Sequence, residues 1–372
     1  MSTPPTLITV RTSAEVLAVA PYMLGYQPKQ SVVFVLFDGK RTCGALRLDL
    51  PTDASPVTFK RFANFALGTV AKIHGVEALA PMIFTEERFG DDSRIPHTEL
   101  MDVLRRRIGQ MGYELRDALC LAGDGWASYL APKVPPGGQP LDELSDAVAT
   151  FLPDMPRDQV AHDQTVGSVR VPLNPARAAK TARRIQSLEK LAVDATDEGV
   201  KVLLSRHRSP LFIEWVLGWS DEDMDDRAWL ALLRFQNPPL RDQAMLQWAF
   251  GSEFGERLFA ATESAGDDFR NLSPELGDRM MGKGPRPDLE RAARGIHLLR
   301  EMLPFATNDL RPAPLCMLAW LSWAIGRTTH AVEYINQALA INPDYGMATL
   351  LASLLDAGLL PEWAFERQQP AD

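Results

Sequence analysis

Six consecutive apolar residues, Val32–Phe37, most constrain what this chain can fold into. A run that short, rich in β-branched residues and closed by Asp38-Gly39, predicts a strand buried on both faces of a sheet. The residues around it fix its connections. Thr12 precedes a helical pattern with Glu15 three positions on, a capping box in which hydroxyl and carboxylate each take an orphan N–H. Val16, Leu17, Ala20 and Leu24 share one helical face, Pro21 is expected to kink or split the helix, and Gly25 suits the left-handed residue that ends it. Asp38-Gly39 predicts a tight hairpin into Cys43–Leu50, where Leu46, Leu48 and Leu50 alternate with Arg47 and Asp49.

The alternation of elements continues. Thr6–Val10 reads as a short strand. Ser55-Pro56 opens a helix carrying Phe59, Phe62, Ala63, Ala66 and Val70, which Gly75 ends. Ala78–Phe84 is an apolar strand, Thr98–Ile108 a helix with Arg105, Arg106 and Arg107 outward, and Glu114–Ala122 a strand. Gly123-Asp124-Gly125 turns the chain into Trp126–Leu130. Strands alternating with helices, with one hairpin among them, predict an α/β (or α+β) domain with a mixed sheet over residues 1–140. The proline- and glycine-rich stretch 132–140 marks its edge.

Helical patterns dominate the remainder. Residues 141–220 read as a mostly helical connecting region, and 221–372 as an all-α domain. Arg177, Lys180, Arg183, Arg184 and Lys190 make a basic cluster, and Asp221, Glu222, Asp223, Asp225 and Asp226 an acidic block at a helix start. Trp215, Trp219, Trp229, Trp248, Trp320 and Trp323 at helical spacing are expected to pack between helices. Small residues at Ala319, Ala331 and Ala338, a turn at Gly326 and a stop at Pro343 suggest one tetratricopeptide-like (TPR-like) helical hairpin over about 312–345.

Composition excludes several activities. The net charge of −9 argues against general nucleic-acid binding, which needs a basic surface. Cys43, Cys120 and Cys316 form no CxxC pair and no disulfide framework, no signal peptide is apparent, and no apolar run is long enough for a membrane span, so a reducing cytoplasm is expected. There is no Walker loop, GxGxxG, GxSxG or HExxH, and the six histidines are scattered, so no metal and no cofactor are expected.

Five residues remain as ligand-binding candidates: Tyr26, Gln27, Ser31, Asp49 and Asp124. Tyr26 and Gln27 follow the helix-ending glycine, where they line a crevice or pack on the helix. Ser31 enters a strand, as a ligand contact or nucleophile or as a turn residue bonded to nearby backbone. Asp49 ends a strand before Pro51, placed for a cation or a sugar hydroxyl or simply as a loop cap. Asp124 between glycines is a ligand contact or a turn residue.

Several segments occur together in a fixed order: Pro21-x-x-x-Gly25-Tyr26-x-Pro28-x-x-Ser31, Asp49-Leu50-Pro51, Gly125-Trp126-x-Ser128-Tyr129, Arg241-Asp242-x-x-Met245-Leu246, and Leu318-Ala319-Trp320-Leu321-x-Trp323 through Asn342-Pro343-Asp344. In this the chain resembles an actinobacterial family built on a domain of unknown function. The resemblance implies source and architecture and no activity. Members often carry cysteines after the Trp-x-Ser-Tyr segment. Ala131–Pro136 has none, so a metal or redox role built on them does not transfer. The function expected from the whole is a non-enzymatic interaction scaffold that binds another protein, or a further copy of itself, through the helical domain. The alternative is a small-molecule sensor or enzyme using the strand-end crevice.

Overall fold

A computed structural model describes residues 10–89, 94–151, 160–194, 209–264 and 267–366. The expected strand Thr6–Val10 and the tail 367–372 lie outside them. The chain divides into two compact units with the boundary between Val166 and Gly167. That boundary falls inside the region 141–220 set apart by the sequence.

The first unit is a mixed sheet between two helical layers. Its elements are α1 (Ser13–Leu24), β1 (Ser31–Asp38), β2 (Arg41–Asp49), α2 (Pro56–Val70), β3 (Ala78–Phe84), α3 (Thr98–Gln110), β4 (Glu114–Leu115), β5 (Leu119–Leu121), β6 (Trp126–Ser128) and α4 (Asp142–Phe151). The strand order is β2-β1-β3-β5-β6, with β4 also on β3. β1 runs antiparallel to both neighbours, β3 is parallel to β4 and β5, and β6 is antiparallel to β5.

Alternation along β1 assigns the faces. Val32, Phe34 and Leu36 pack with Phe59, Ala63, Leu67, Leu100 and Leu104 of α2 and α3. Val33, Val35 and Phe37 pack with Leu17 and Ala20 of α1 and with Leu144 of α4. Two apolar layers explain why the run has no polar interruption.

The local signals act as expected at the start of α1. Thr12 and Glu15 form the capping box, and Gly25 at φ 78° donates its N–H to Pro21 O at 2.8 Å. Pro21 does not split the helix into two elements, however. It lies in the last turn, where Leu17 O alone loses its donor and the chain ends at once on Gly25. The expected strand Glu114–Ala122 is two short strands. Asp117 breaks it, accepting from the adjoining Ala118 N–H at 2.7 Å, from Ser128 Oγ at 2.7 Å and from Ser13 Oγ at 2.6 Å.

The second unit is helical: α5 (Pro175–Asp194), α6 (Pro210–Leu217), α7 (Asp221–Phe235), α8 (Pro238–Phe250), α9 (Ser252–Ser264), α10 (Asp267–Met280), α11 (Leu289–Met302), α12 (Pro312–Ala324), α13 (Thr328–Ile341) and α14 (Gly346–Asp356). Every residue of α12 is buried. It is enclosed by α8, α11, α13 and α14, and it carries the long apolar run of the sequence. Indole N–H groups tie this core to backbone: Trp320 to Met280 O at 3.0 Å, Trp323 to Leu359 O at 2.9 Å, Trp363 to Ala324 O at 2.9 Å, and Trp248 to Ile213 O at 3.2 Å. The basic cluster and the acidic block meet. Arg177 reaches Asp225 at 3.3 Å, and Lys180 and Arg184 reach Asp226 at 3.3 and 3.0 Å, joining α5 to α7.

Candidate functional site

Two of the five candidate residues, Ser31 and Asp49, stand in one register row at an end of the sheet, and the other three lie in loops at that same end. Asp49 pairs Ser31, Ser31 pairs Phe84, Phe84 pairs Leu121, and Leu121 pairs Trp126. Tyr26 and Gln27 precede this row in the loop into β1, and Asp124 follows it in the β5–β6 turn. Four strands at about 4.8 Å spacing still separate Asp49 and Asp124 by roughly 14 Å. The end therefore carries two groups.

The first group centres on Arg47. Its Nε donates to Ser31 Oγ at 2.7 Å, and its Nη2 donates to Asp49 and, at 3.5 Å, to Lys29 O. Ser31 is fully buried and donates its own hydroxyl to Lys29 O at 2.6 Å. A hydroxyl giving its proton to a carbonyl and receiving one from a cation is arranged opposite to a nucleophile, which needs a base. Tyr26 joins this group. Burial pushes its phenol pKa up, Arg47 pulls it down and Asp49 raises it. Gln27 is engaged through backbone. Its N–H donates to Ala161 O at 2.8 Å, and Ala161 N donates to Gly25 O at 3.0 Å. Gln164 continues this strap, accepting from Lys29 N at 3.0 Å and donating to Lys29 O at 3.2 Å.

The second group surrounds the carboxyl ends of β3 and β5. His97 Nε2 lies 3.1 Å from Thr85 Oγ1 and 3.5 Å from Glu87 Oε1. Both contacts fall on one ring nitrogen, so hydroxyl, imidazole and carboxylate do not form a relay. Burial keeps the imidazole pKa below its ordinary value against the pull of Glu87. Asp124 Oδ1 accepts from Phe89 N at 3.0 Å. The neighbouring Cys120 thiol is buried, which pushes its pKa up to about 12, and its partner is Tyr129. Tyr129 in turn donates to Pro96 O at 2.5 Å. A thiol so placed is not a nucleophile at neutral pH.

Sequence reasoning missed Arg47, Thr85, Glu87 and His97. Arg47 could have been found, because it is a polar residue inside the alternating strand 43–50. His97 carries a signal visible only in the backbone. It and Gln30 are the non-glycine residues at positive φ among those described, at 57° and 44°. Both abut the segment after β3, where Gln30 Oε1 accepts from Glu86 N at 2.8 Å.

The helical unit offers a different surface. Leu211 and Trp215, one turn apart on α6, are 74% and 45% exposed. Trp215, expected to pack between helices, has its ring covered on one side by the Arg227 guanidinium of α7 at 4.9 Å and stays partly open. A groove of about 380 Å³ beside them is lined by Glu214, Leu217, Gly218, Glu290, Arg291 and Arg294. Among the described residues no group of three His, Cys, Asp or Glu is placed to hold a metal, and no helix is long and apolar enough to cross a membrane.

The sequence matches the family model described as Domain of unknown function (DUF4192) over residues 14–263 and 286–362. The chain belongs to this family. The match takes in both groups at the sheet end and the α6 surface. Comparison with curated proteins and with solved structures gives no match.

Proposed function

We propose that this protein is a cytoplasmic, non-enzymatic scaffold of actinobacterial source that binds another protein through its helical unit, with α12–α13 as a TPR-like hairpin. The observation that supports this most is the apolar pair Leu211 and Trp215, exposed on a helix whose other apolar residues, Phe212, Ile213, Val216 and Leu217, are buried. Large apolar side chains one helical turn apart, beside a groove bearing both carboxylates and guanidinium groups, suit an amphipathic helix of a partner. Aromatic anchors of this kind carry much of the energy of such contacts. The test is L211S/W215S in the full chain. Melting is expected to be unchanged, and a stoichiometric partner that cross-links to α6 in the parent protein is expected to be lost. Retention of that partner by the double variant refutes the reading.

A second reading, a small-molecule sensor or enzyme acting at the sheet end, is favoured by the two left-handed residues Gln30 and His97 flanking the same strand terminus. Nucleotides, sugars and acyl compounds would then raise the melting temperature of the parent and not of H97A. No rise with any of them rejects it.

A further inference from the structure

α2 turns Phe59, Ala63, Ala66, Leu67 and Val70 into the core of the sheet unit. Its opposite side carries Val57, Arg61, Phe65 and Gly68, spaced by four, four and three residues along one face, with Lys60 and Asn64 beside them. All six are exposed, Val57 at 66% and Phe65 at 45%. Two large apolar side chains two turns apart, with a guanidinium between them, form a continuous ridge rather than scattered surface residues.

The ridge is wholly positive. Among the described α-helices only α2 and the fully buried α12 contain no aspartate or glutamate, although the chain carries a net charge of −9. Lys60 and Arg61 thus have no carboxylate on their own helix to pair with, and among the described residues neither forms an ion pair. Asp53, the acid nearest in sequence, is taken up by Ser55 Oγ and Thr58 Oγ1, each at 2.8 Å.

The ridge also carries a glycine that the fold does not require. Gly68 keeps helical backbone in the last turn of α2, and nothing lies within 4 Å of the place a Cβ would take. Alanine is the better helix former, so neither conformation nor packing within the chain calls for glycine there. Bare backbone on the outer side of a helix allows another backbone to approach closely.

We infer that the outer face of α2 receives an acidic amphipathic helix of a protein partner. That helix crosses α2 at Gly68, lays its apolar residues on Phe65 and Val57, and pairs its carboxylates with Lys60 and Arg61. A second copy docking through the same face would set Lys60 and Arg61 against like charges. An anionic lipid surface answers the charge but gives no reason for Gly68, because a bilayer brings no backbone close to it. The surface belongs to the sheet unit and does not depend on the reading of α6.

The experiment places the photo-cross-linker p-benzoylphenylalanine at Val57 of the full chain in its native host. Irradiation is expected to join it to one segment of one protein, and peptide mass spectrometry to show that segment bearing carboxylates around apolar residues at helical spacing. The cross-link is expected to disappear in K60E/R61E, whose unchanged melting temperature shows that it is folded. A synthetic peptide of the joined segment is expected to bind K60E/R61E at least about tenfold more weakly than the parent, and to bind the parent more weakly as salt rises. G68A separates docking from folding. It is expected to raise the melting temperature of the free protein by up to about 2–4 °C, yet to weaken the peptide at least about tenfold, because the methyl holds the two helices apart. The inference is overturned if the label joins lipid, a further copy of this chain or no single segment, or if the joined segment lacks the acidic helical pattern. It is equally overturned if K60E/R61E or G68A binds the peptide as the parent does.

Discussion

Gly255, four residues into α9, is a site where alanine should harm a helix. A Cβ there would lie 2.1 Å from Gln247 Oε1, 2.4 Å from its Cδ and 2.6 Å from its Cγ. The amide end of a glutamine normally yields, but Gln247 is fully buried, and its Nε2 donates to Pro210 O at 2.8 Å and to Glu214 Oε1 at 2.8 Å. Moving it strips a donor from a buried carbonyl and a carboxylate, at about 1–3 kcal/mol. Forcing a methyl into the packed α8–α9 contact costs about 1–3 kcal/mol more. Against this, alanine is favoured over glycine in a helix by about 1 kcal/mol. G255A should therefore destabilise the helical unit by about 1–5 kcal/mol, the central value of about 3 kcal/mol being a fall in melting temperature of about 6–12 °C for a unit of this size. The background decides the cause. In Q247A the obstruction is gone, and G255A should be neutral or stabilising by up to about 1 kcal/mol. Thermal unfolding of the four proteins completes the cycle. A neutral G255A in the parent, or the same loss in Q247A, would refute the reasoning.

Two further outcomes follow from the charged groups. In R47M the Tyr26 phenol loses the cation that pulls its pKa down against burial, so its pKa should rise further, seen as the difference in ultraviolet titration between R47M and R47M/Y26F; an unchanged value would separate Tyr26 from the Arg47 group. Burial raises the Glu214 carboxyl, but bonds from Arg291 and Gln247 outweigh it and hold the folded pKa below the ordinary value. That stabilisation is present above the unfolded pKa and lost as pH falls through the folded one, so E214Q should lose less stability than the parent on acidification below about pH 4.5. Parallel pH–stability curves for the two proteins would contradict it.

Much of the first unit was legible because its signals are local. The Thr12–Glu15 box, Gly25, the Asp38-Gly39 hairpin and the Ser55-Pro56 start each act within a few residues, and the structure contains each of them. The pairing of β1 with β3 was not legible. It joins strands across an intervening hairpin and helix, and only register shows that Ser31, Asp49 and Phe84 share a row. The charge clusters on α5 and α7 were visible as composition, but nothing in the spacing said that they answer one another. Of the five candidates, Tyr26, Ser31 and Asp49 come together, Gln27 is taken up by the 160–166 strap, and Asp124 lies with a group whose other members were missed. His97 was missed because left-handed backbone at a histidine leaves no mark on its neighbours.

The enclosure of α12 also bears on how the chain is made. The helices α7, α8 and α11 leave the ribosome with apolar faces that pack on residues 312–324, which have not yet been synthesised. Trp363, which donates to Ala324 O, comes later still. The helical unit thus reaches its native packing after synthesis of its last turns, and until then its open faces require shielding by chaperones or are drawn into aggregates. Chains terminated before Trp363 are accordingly expected to be cleared by proteolysis, whereas the sheet unit, whose described residues end at Val166, can close while the helical unit is still being translated.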